Sequence, residues 1–468
     1  MPTATKIQDW AVLPYNSRRI DGHYLVSNFL GNWDFLIPDE FRRLEQLHLE
    51  EGDPLFKRLY DRGMVVQKEN IAGLIAGYRN LNANLFADTA LHIAVVTTRC
   101  NIACKYCHAA TDNPVDMNIE VARQIIKYLF EVRTPTVTLE LQGGEPLLNW
   151  DVVRYLVENT RKFNTVNKNI HICIVTNGLL LSEEKIGFLL DHGVNICISL
   201  DGPEHLHDSN RIFNKGAGSH KLVSAAIQRL KKAYKDRKMD QSINLMPTFT
   251  KQTIPFVKDV IDEHVQWGAA QIAIRAINKI GAAGQRWEEI GCTPEEFNSA
   301  WAEGMDHILE LNKQGANIKE RMAVVLLTKI LKKEDPKYVN LMNPSGAGRA
   351  ALAYDPKGDI YPSDEARMLE NEIFKLGNIL KDEYETIMKS PNLFAACQSS
   401  LIDLWSYNDV YSPWLGTCPV LNYKLQGTLV PMITRTPLHK IQHFQFDYLF
   451  KKLLEDKEAK AILEKWVG

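Results

Sequence analysis

The sequence predicts an α/β protein built on a partial (β/α)6 TIM-like barrel, and three observations carry that prediction. Residues 91–276 alternate between short apolar runs and longer amphipathic segments. The apolar runs are continuous and rich in Ile and Val, the pattern of parallel strands covered on both faces. Almost every run is followed directly by unusual Gly, Pro, Cys or Asn residues. Repeated βα units put all such loops on one end of a parallel sheet, where barrel enzymes keep their active sites.

The strand runs are LHIAVVT (91–97), TVTLEL (136–141), HICIVT (171–176), NICISL (195–200), SINLMPTF (242–249) and AQIAIRA (270–276). Between them, IEVARQIIKYLFEV (119–132) and SHKLVSAAIQRLKKAYK (219–235) read as amphipathic helices. Six units make a partial barrel rather than a closed eight-stranded one. The first run leads into a cysteine triplet, and the second into Gln142-Gly143-Gly144-Glu145-Pro146. The third ends in Thr176-Asn177-Gly178, the fourth meets Asp201-Gly202-Pro203, and the sixth runs into Arg275 and Asn278.

The remaining chain divides around this unit. Residues 1–87 read as a small α+β domain. Within it, 18–28 and 32–38 form strands around a Gly-containing turn, then a helix begins at Asp39, and another spans 56–63 before a strand. Residues 88–285 are the barrel. Residues 286–340 are a helical connection, with Thr293-Pro294-Glu295-Glu296 opening one helix as a capped start. Residues 341–468 are loop-rich and close with an amphipathic helix over 446–466.

Composition excludes several classes. The 468 residues are 45% hydrophobic and 24% charged, as in soluble globular proteins. A formal net charge of −2 gives no electrostatic case for nucleic acid. The start, MPTATKIQDW, has no apolar signal region, and no apolar run is long enough for a membrane span. Eight cysteines in so long a chain are no disulfide framework, so a reducing cytoplasm is expected.

The richest chemistry lies in Arg99-CNIACKYC-His108, with Cys100, Cys104 and Cys107 on one loop. Three thiolates can hold a cubane iron–sulfur cluster and leave its fourth iron open for chemistry, whereas four usually serve electron transfer. A zinc site completed by His108 or a distant ligand is the competing reading, and three ordinary buried thiols another. Cys173 and Cys197, inside strand runs, read as core residues, and Cys292 has no evident partner.

The C-x3-C-x-[aromatic]-C pattern, with Tyr106 as the aromatic, resembles the cluster motif of radical S-adenosylmethionine (SAM) enzymes. That resemblance covers about residues 88–280 and implies one [4Fe–4S] cluster on Cys100, Cys104 and Cys107, with SAM on the open iron. It implies Tyr106 near the adenine. It also implies SAM amino-group binding by Gly143, Gly144, Glu145 and Pro146, the paired glycines allowing backbone approach. Ser199 and Arg211 look like the pair that binds the SAM carboxylate, which a guanidinium fork suits. Asn177 would contact the ribose, or else only cap a turn.

The C-terminal third resembles the SPASM subfamily with most cluster ligands lost. Ser345, Gly358 and Ser363 fit its opening spacing with serine in both cysteine places. Cys397 and Cys418 survive, Ser400 stands where a cysteine is usual, and Thr436-Pro437 replaces the last one. This implies a degenerate SPASM-like domain without auxiliary clusters, or one completed by serine, histidine or substrate groups. At whole-chain level the sequence resembles the His-Xaa-Ser system radical SAM peptide maturases (HxsB-like). The N-terminal domain is similar to winged-helix-like peptide-recognition domains, which bind a leader peptide as an added strand; a structural cap is the equal alternative.

The expected function is therefore a peptide maturase that abstracts hydrogen from a ribosomally made precursor peptide and forms a crosslink. Expected partners are that peptide with its leader and an electron donor such as flavodoxin or ferredoxin. A sulfatase-type maturase, a peptide epimerase, and a silent peptide-binding partner are the alternatives. No catalytic acid or base is assigned; Asp364 and Glu365 are candidates only by their place near the barrel mouth.

Overall fold

The computed structural model describes residues 9–83, 87–108, 113–213, 216–369, 371–399 and 407–468. Ser400 lies outside the described residues. At its centre is an eight-stranded, mostly parallel sheet. The Leu91–Val95, Thr136–Gln142, Asn169–Thr176, Val194–Ser199 and Asn244–Met246 strands lie side by side in chain order, all parallel. Helices Ile119–Glu131, Trp150–Lys162, Glu183–Asp191 and His220–Asp236 connect or flank them.

Alternation along the strands explains which face the helices cover. In Thr136–Gln142, Val137, Leu139 and Leu141 are fully buried; in the next two strands so are Ile172, Ile174, Ile196 and Ile198. These join Val121, Ile125, Leu129, Val153, Leu156, Ile227 and Leu230 from the helices in one core. The intervening residues, Glu140, Gln142, Cys173 and Cys197, face the other side and are half-buried. The strands therefore bury one face against helices and turn the other toward the site, rather than being covered equally on both.

The expected fifth and sixth strands are shorter than their apolar runs. The fifth stops at Met246 because Pro247 has no N–H to donate. In the sixth run only Gln271–Ile272 is strand, and it pairs with Lys319–Glu320 outside the main sheet. A single bridge, Phe249 with Ala276, continues the parallel direction between the two segments.

The opposite edge of the sheet holds a feature absent from the sequence pattern. Ala351–Tyr354 pairs parallel to Leu91–Val95, followed by antiparallel Asp359–Tyr361 and Gly377–Asn378. The C-terminal third thus contributes three strands to the central sheet. Tyr354 donates or accepts a 2.7 Å hydrogen bond with Nδ1 of buried His92.

In the N-terminal region, Tyr15–Ile20, His23–Asn28 and Trp33–Leu36 form a three-stranded antiparallel sheet. Residues 18–28 are not one strand. Asp21 and Gly22, at φ 41° and 80°, make a tight turn inside them, the turn that an Asp-Gly pair favours. The Asp39 helix spans Pro38–Glu45, and the second helix Pro54–Asp61 ends before Gly63. The closing helix is two: Pro437–Glu455 and Lys457–Val467, divided at Asp456, whose carboxylate accepts the Ala459 N–H at 2.9 Å. Among the described residues no helix is long and apolar enough to cross a membrane.

Candidate active site

The cysteine loop follows the Leu91–Val95 strand and is pinned on three sides. Toward the second strand, the Gly144 N–H donates to Thr97 O and the Glu145 N–H to Arg99 O, each at 2.8 Å. A Cβ on Gly144 would stand 2.3 Å from Arg99 O, and one on Gly143 2.5 Å from Thr97 O. The paired glycines thus give their closest approach to the cysteine loop itself. Toward the fourth strand, Ala103 N–H donates to Ile212 O at 2.8 Å and Lys105 N–H to Asn210 O at 3.0 Å. These bonds flank Cys104 and bring Nη1 of Arg211 within 4.0 Å of its sulfur. On the third side, Ala282 N–H donates to Cys107 O at 3.2 Å, and His108 Nε2 lies 3.1 Å from Asn278 O.

Glu145 is fully buried with both oxygens engaged inside the protein. Oε1 accepts from the Thr176 hydroxyl at 2.7 Å and the Leu147 N–H at 3.1 Å, and Oε2 accepts from the Asn177 N–H at 2.8 Å. It ties the second strand's turn to the third strand's end. Pro146 opens the short turn that Glu145 caps. Asn177 in turn donates to Asn101 Oδ1 at 2.7 Å, and its Nδ2 is 3.9 Å from Cys100 Sγ. The Asn177 Oδ1 also accepts the Leu179 N–H at 3.0 Å, so it both caps a turn and steadies the cysteine loop.

Asp201 is the residue that sequence reasoning missed. It is 1% exposed, and its Oδ2 accepts from the Tyr106 hydroxyl at 2.6 Å and lies 3.1 Å from Arg211 Nε. The Arg211 approach is close enough for an ion pair but too poorly aligned for a hydrogen bond. Asp201 Oδ1 accepts the Thr248 N–H at 3.0 Å. Arg211 also lies over the Tyr106 ring, 5.4 Å from its centre. His207 and Ser219 hold the segment from behind: His207 Nε2 meets the Ser219 hydroxyl at 3.0 Å, which donates to Arg211 O at 2.8 Å. Ser199 ends the fourth strand two residues before Asp201 and is 8% exposed. The signal in the sequence was an acid placed at a strand end just before a glycine; its partners, 95 and 10 positions away, were not visible.

Burial and charge act together here. Burial pushes the Cys104 thiol up to about 12, while Arg211 pulls it back. Burial likewise raises Cys100. For Arg211, burial works against the charge, but Asp201 and Tyr106 outweigh it and hold the guanidinium protonated. The site thus keeps a permanent cation beside Cys104, an arrangement suited to a thiolate ligand and to a carboxylate.

The residues fit a multi-iron cluster. The three cysteines form no disulfide. Three free thiols on one loop match the ligand set of a four-iron cluster with one open iron. Asn210, beside Arg211, has both side-chain amide atoms buried without partners among the described residues, a polar wall suited to a polar ligand.

Cys173 and Cys197 are not core residues. Both are half-buried on the open face of the sheet, where Cys173 Sγ is 3.7 Å from Glu140 Oε2. Asp364 and Glu365 sit where their charges act on His108, with Asp364 also acting on Glu140. Each already has a partner: Asp364 pairs with Arg367 at 2.8 Å, and Glu365 accepts from Asn340 at 2.7 Å. In the C-terminal third, Ser345 and Cys397 meet, with the Cys397 thiol 3.4 Å from Ser345 O. Ser363 caps the Asp364–Leu369 helix, and Cys418 is buried in a separate apolar cluster. Thr436 caps the Pro437–Glu455 helix.

The Radical SAM superfamily profile matches residues 94–261, the segment that carries this constellation. Residues 94–261 are a radical SAM domain. Radical SAM proteins use a [4Fe–4S] cluster and SAM. The chain is 30% identical over 151 residues to a cysteine-type anaerobic sulfatase-maturating enzyme of Clostridium perfringens, covering 31% of this chain and 41% of that protein. It thus spans well under half the length of that curated radical SAM relative. The solved structure of native anSMEcpe with bound AdoMet superposes with a TM-score of 0.66 at 18% identity, over 81% of this chain and 99% of the other. Streptococcus suis SuiB bound to precursor peptide SuiA superposes with a TM-score of 0.54 at 14% identity, over 89% of this chain and 97% of the other. At these identities the structural likeness establishes the radical SAM fold.

Proposed function

We propose that this protein is a radical SAM peptide maturase that removes hydrogen from a ribosomally made precursor peptide and forms a crosslink within it. The observation that carries the reading is the joining of the cysteine loop, the Gly143–Pro146 turn and the Asp201–Tyr106–Arg211 cluster at one end of the sheet. Cys100, Cys104 and Cys107 would hold the cluster. When bound, cluster and SAM supply a 5′-deoxyadenosyl radical as the hydrogen-abstracting agent.

The chain's own part is placement. Arg211, held charged by Asp201, would receive the SAM carboxylate together with Ser199 at the end of the fourth strand. Gly143, Gly144 and Pro146 offer backbone to the SAM amino group, and Glu145 fixes that turn. Tyr106 flanks the adenine and Asn177 the ribose. The half-buried face with Glu140, Cys173 and Cys197 receives the peptide. A crosslink removes two hydrogens: one leaves as an atom on 5′-deoxyadenosine, the other as a proton and an electron. A donor of the flavodoxin or ferredoxin kind would supply the one electron that reductive SAM cleavage consumes, and the electron released by crosslinking would return to the cluster or pass to an external acceptor.

The domain reading follows the same line. Residues 88–285 act as a partial (β/α)6 barrel, 286–340 as a helical connection, and 341–468 as a degenerate SPASM-like domain with no auxiliary cluster; the whole chain is similar to the HxsB-like maturases, from whose pattern these cysteine losses depart. The precursor's leader adds to an outer strand of the three-stranded N-terminal sheet, whose Tyr15–Ile20 edge has Ser17, Arg18 and Arg19 exposed. A reducing cytoplasm suits the chemistry. In support, SuiB has been crystallised with its precursor peptide.

The test is anaerobic SAM turnover by the reconstituted chain with candidate precursor peptides. A peptide product lighter by two hydrogens, formed with 5′-deoxyadenosine and lost in Cys104→Ala, supports the reading. SAM cleavage that instead turns a single Ser into an aldehyde, two hydrogens lighter, or a single Cys into the same aldehyde, with loss of two hydrogens and exchange of sulfur (released as sulfide) for water oxygen, favours the sulfatase-maturase reading. The sequence identity to a cysteine-type maturase keeps that second reading open.

A further inference from the structure

Outside the cysteine loop and its partners, three side chains converge without a role in the chemistry above. His439 and His443 lie one turn apart on the Pro437–Glu455 helix, which puts both on one face. Their ring centres are 4.5 Å apart. Asp409, from the loop that precedes Tyr411, points its Oδ2 at both. It contacts His443 Nε2 directly and lies 3.5 Å from His439 Nε2. The other oxygen of Asp409 accepts the Tyr411 N–H at 2.9 Å, which fixes the carboxylate's orientation.

The direct Asp409–His443 contact leaves His439 incompletely satisfied. The His439 side chain is 9% exposed, and its buried Nε2, 3.5 Å from Asp409 Oδ2, makes no well-formed hydrogen bond among the described residues. A buried imidazole nitrogen without a well-formed hydrogen bond costs up to about 1–3 kcal/mol. The three ligand atoms lie within 4.8 Å of one another. Zinc bonds of about 2.0–2.2 Å to nitrogen and oxygen span up to about 4.3 Å, so rotamer adjustments of a few tenths of an ångström close the site.

We propose that Asp409, His439 and His443 bind one divalent transition-metal ion, with zinc the best match to the donors. Two imidazoles and one carboxylate suit zinc rather than calcium or magnesium, which prefer all-oxygen sites. His443 is 22% exposed, which leaves room for water as the fourth ligand. The ion's role is structural. The Asp409 loop is where the N-terminal sheet docks: Asn16 Nδ2 donates to Tyr407 O at 2.8 Å and Asp409 O at 3.0 Å, and the Ser27 hydroxyl donates to Val410 O. Arg18 pairs with Asp447, one turn along the same helix, at 2.7 Å. One ion therefore staples the C-terminal helix to the loop that receives the N-terminal sheet.

The test uses the full chain after anaerobic cluster reconstitution, dialysed against a chelator and then against zinc. Zinc and iron are counted together. One zinc beyond about four irons is expected. His443→Ala and Asp409→Asn each lose the zinc with iron unchanged. A Cys100→Ala/Cys104→Ala/Cys107→Ala chain keeps it, which separates this site from zinc trapped on the cluster loop. Zinc should also raise the melting temperature of the parent chain but not of Asp409→Asn. If His443→Ala does not fold, Asp409→Asn, which preserves side-chain shape, decides. A parent chain without stoichiometric zinc, or zinc retained by Asp409→Asn, overturns the proposal.

Discussion

Gly144→Ala should separate cluster retention from folding of the sheet. The added Cβ would stand 2.3 Å from Arg99 O, 2.6 Å from Arg99 C and 2.9 Å from Thr98 O. All three are backbone atoms, so no side-chain rotation relieves the overlap. Ordinary contact begins near 3.4 Å, so the Arg99 carbonyl must retreat by roughly 1 Å. Two hydrogen bonds of 2.8 Å hold that carbonyl and its neighbour to the turn, Gly144 N–H to Thr97 O and Glu145 N–H to Arg99 O. Losing or stretching both costs about 1 kcal/mol each, and overpacking adds about 1–3 kcal/mol, for a total of about 3–5 kcal/mol. The movement is delivered to Cys100, the next residue after Arg99. The assay is iron per chain after anaerobic reconstitution, with circular dichroism and melting temperature alongside. The expected result is loss of most iron with native-like secondary structure and a lowered melting temperature. Gly52→Ala, where a Cβ meets nothing within 4 Å, should match the parent. A Gly144→Ala chain with full iron and an unchanged melting temperature would refute the argument that the glycine exists for loop approach.

Three further outcomes follow from the same contacts. Asp201→Asn leaves the buried Arg211 guanidinium without its counter-charge, at a cost of about 3–5 kcal/mol; SAM affinity by equilibrium dialysis should fall at least tenfold while iron content holds. Glu145→Gln turns one acceptor into a donor facing the Thr176 hydroxyl or the Asn177 N–H, and should lower stability by about 1–3 kcal/mol in chemical denaturation. Burial raises the Glu320 carboxyl from 4.5 to about 7, against the opposing pull of the Ile274 and Ala323 N–H groups. The folded chain then holds a proton more tightly than the unfolded one. Stability from this group is full below pH 4.5 and is lost as pH rises through 7, by about 3 kcal/mol. Melting curves from pH 4.5 to 8 should show that decline, and Glu320→Gln should flatten it.

Local signals were legible where local physics decides. Thr293 caps its helix with Pro294 at the first position and Glu296 closing the capping box, as its order in the sequence implies. The five parallel strands overlap their Ile/Val runs, three of them reaching one or two residues beyond. The cysteine loop and the Gly143–Pro146 turn could be found by motif. What the sequence could not show was partnership at a distance. Asp201 owes its importance to Tyr106 and Arg211, and no spacing rule announces a buried acid serving both. Cys173 and Cys197 sit in apolar runs, and only the sheet's one-sided cover reveals that they face the open side. The division of the last helix at Asp456 turns on one capping carboxylate within an unbroken amphipathic pattern.

The pairing of Ala351–Tyr354 with Leu91–Val95 has a consequence for the order of events in biosynthesis. The strand that leads into the cysteine loop has one neighbour available soon after it emerges, but its other neighbour is made far later. His92 and Tyr354, which meet across that pairing, are 262 positions apart. At about 5–20 residues per second, the first strand waits roughly a quarter to most of a minute with one edge bare. During that interval the loop's thiols rest on a half-finished sheet. An exposed strand edge in the meantime is a place for chaperones to act.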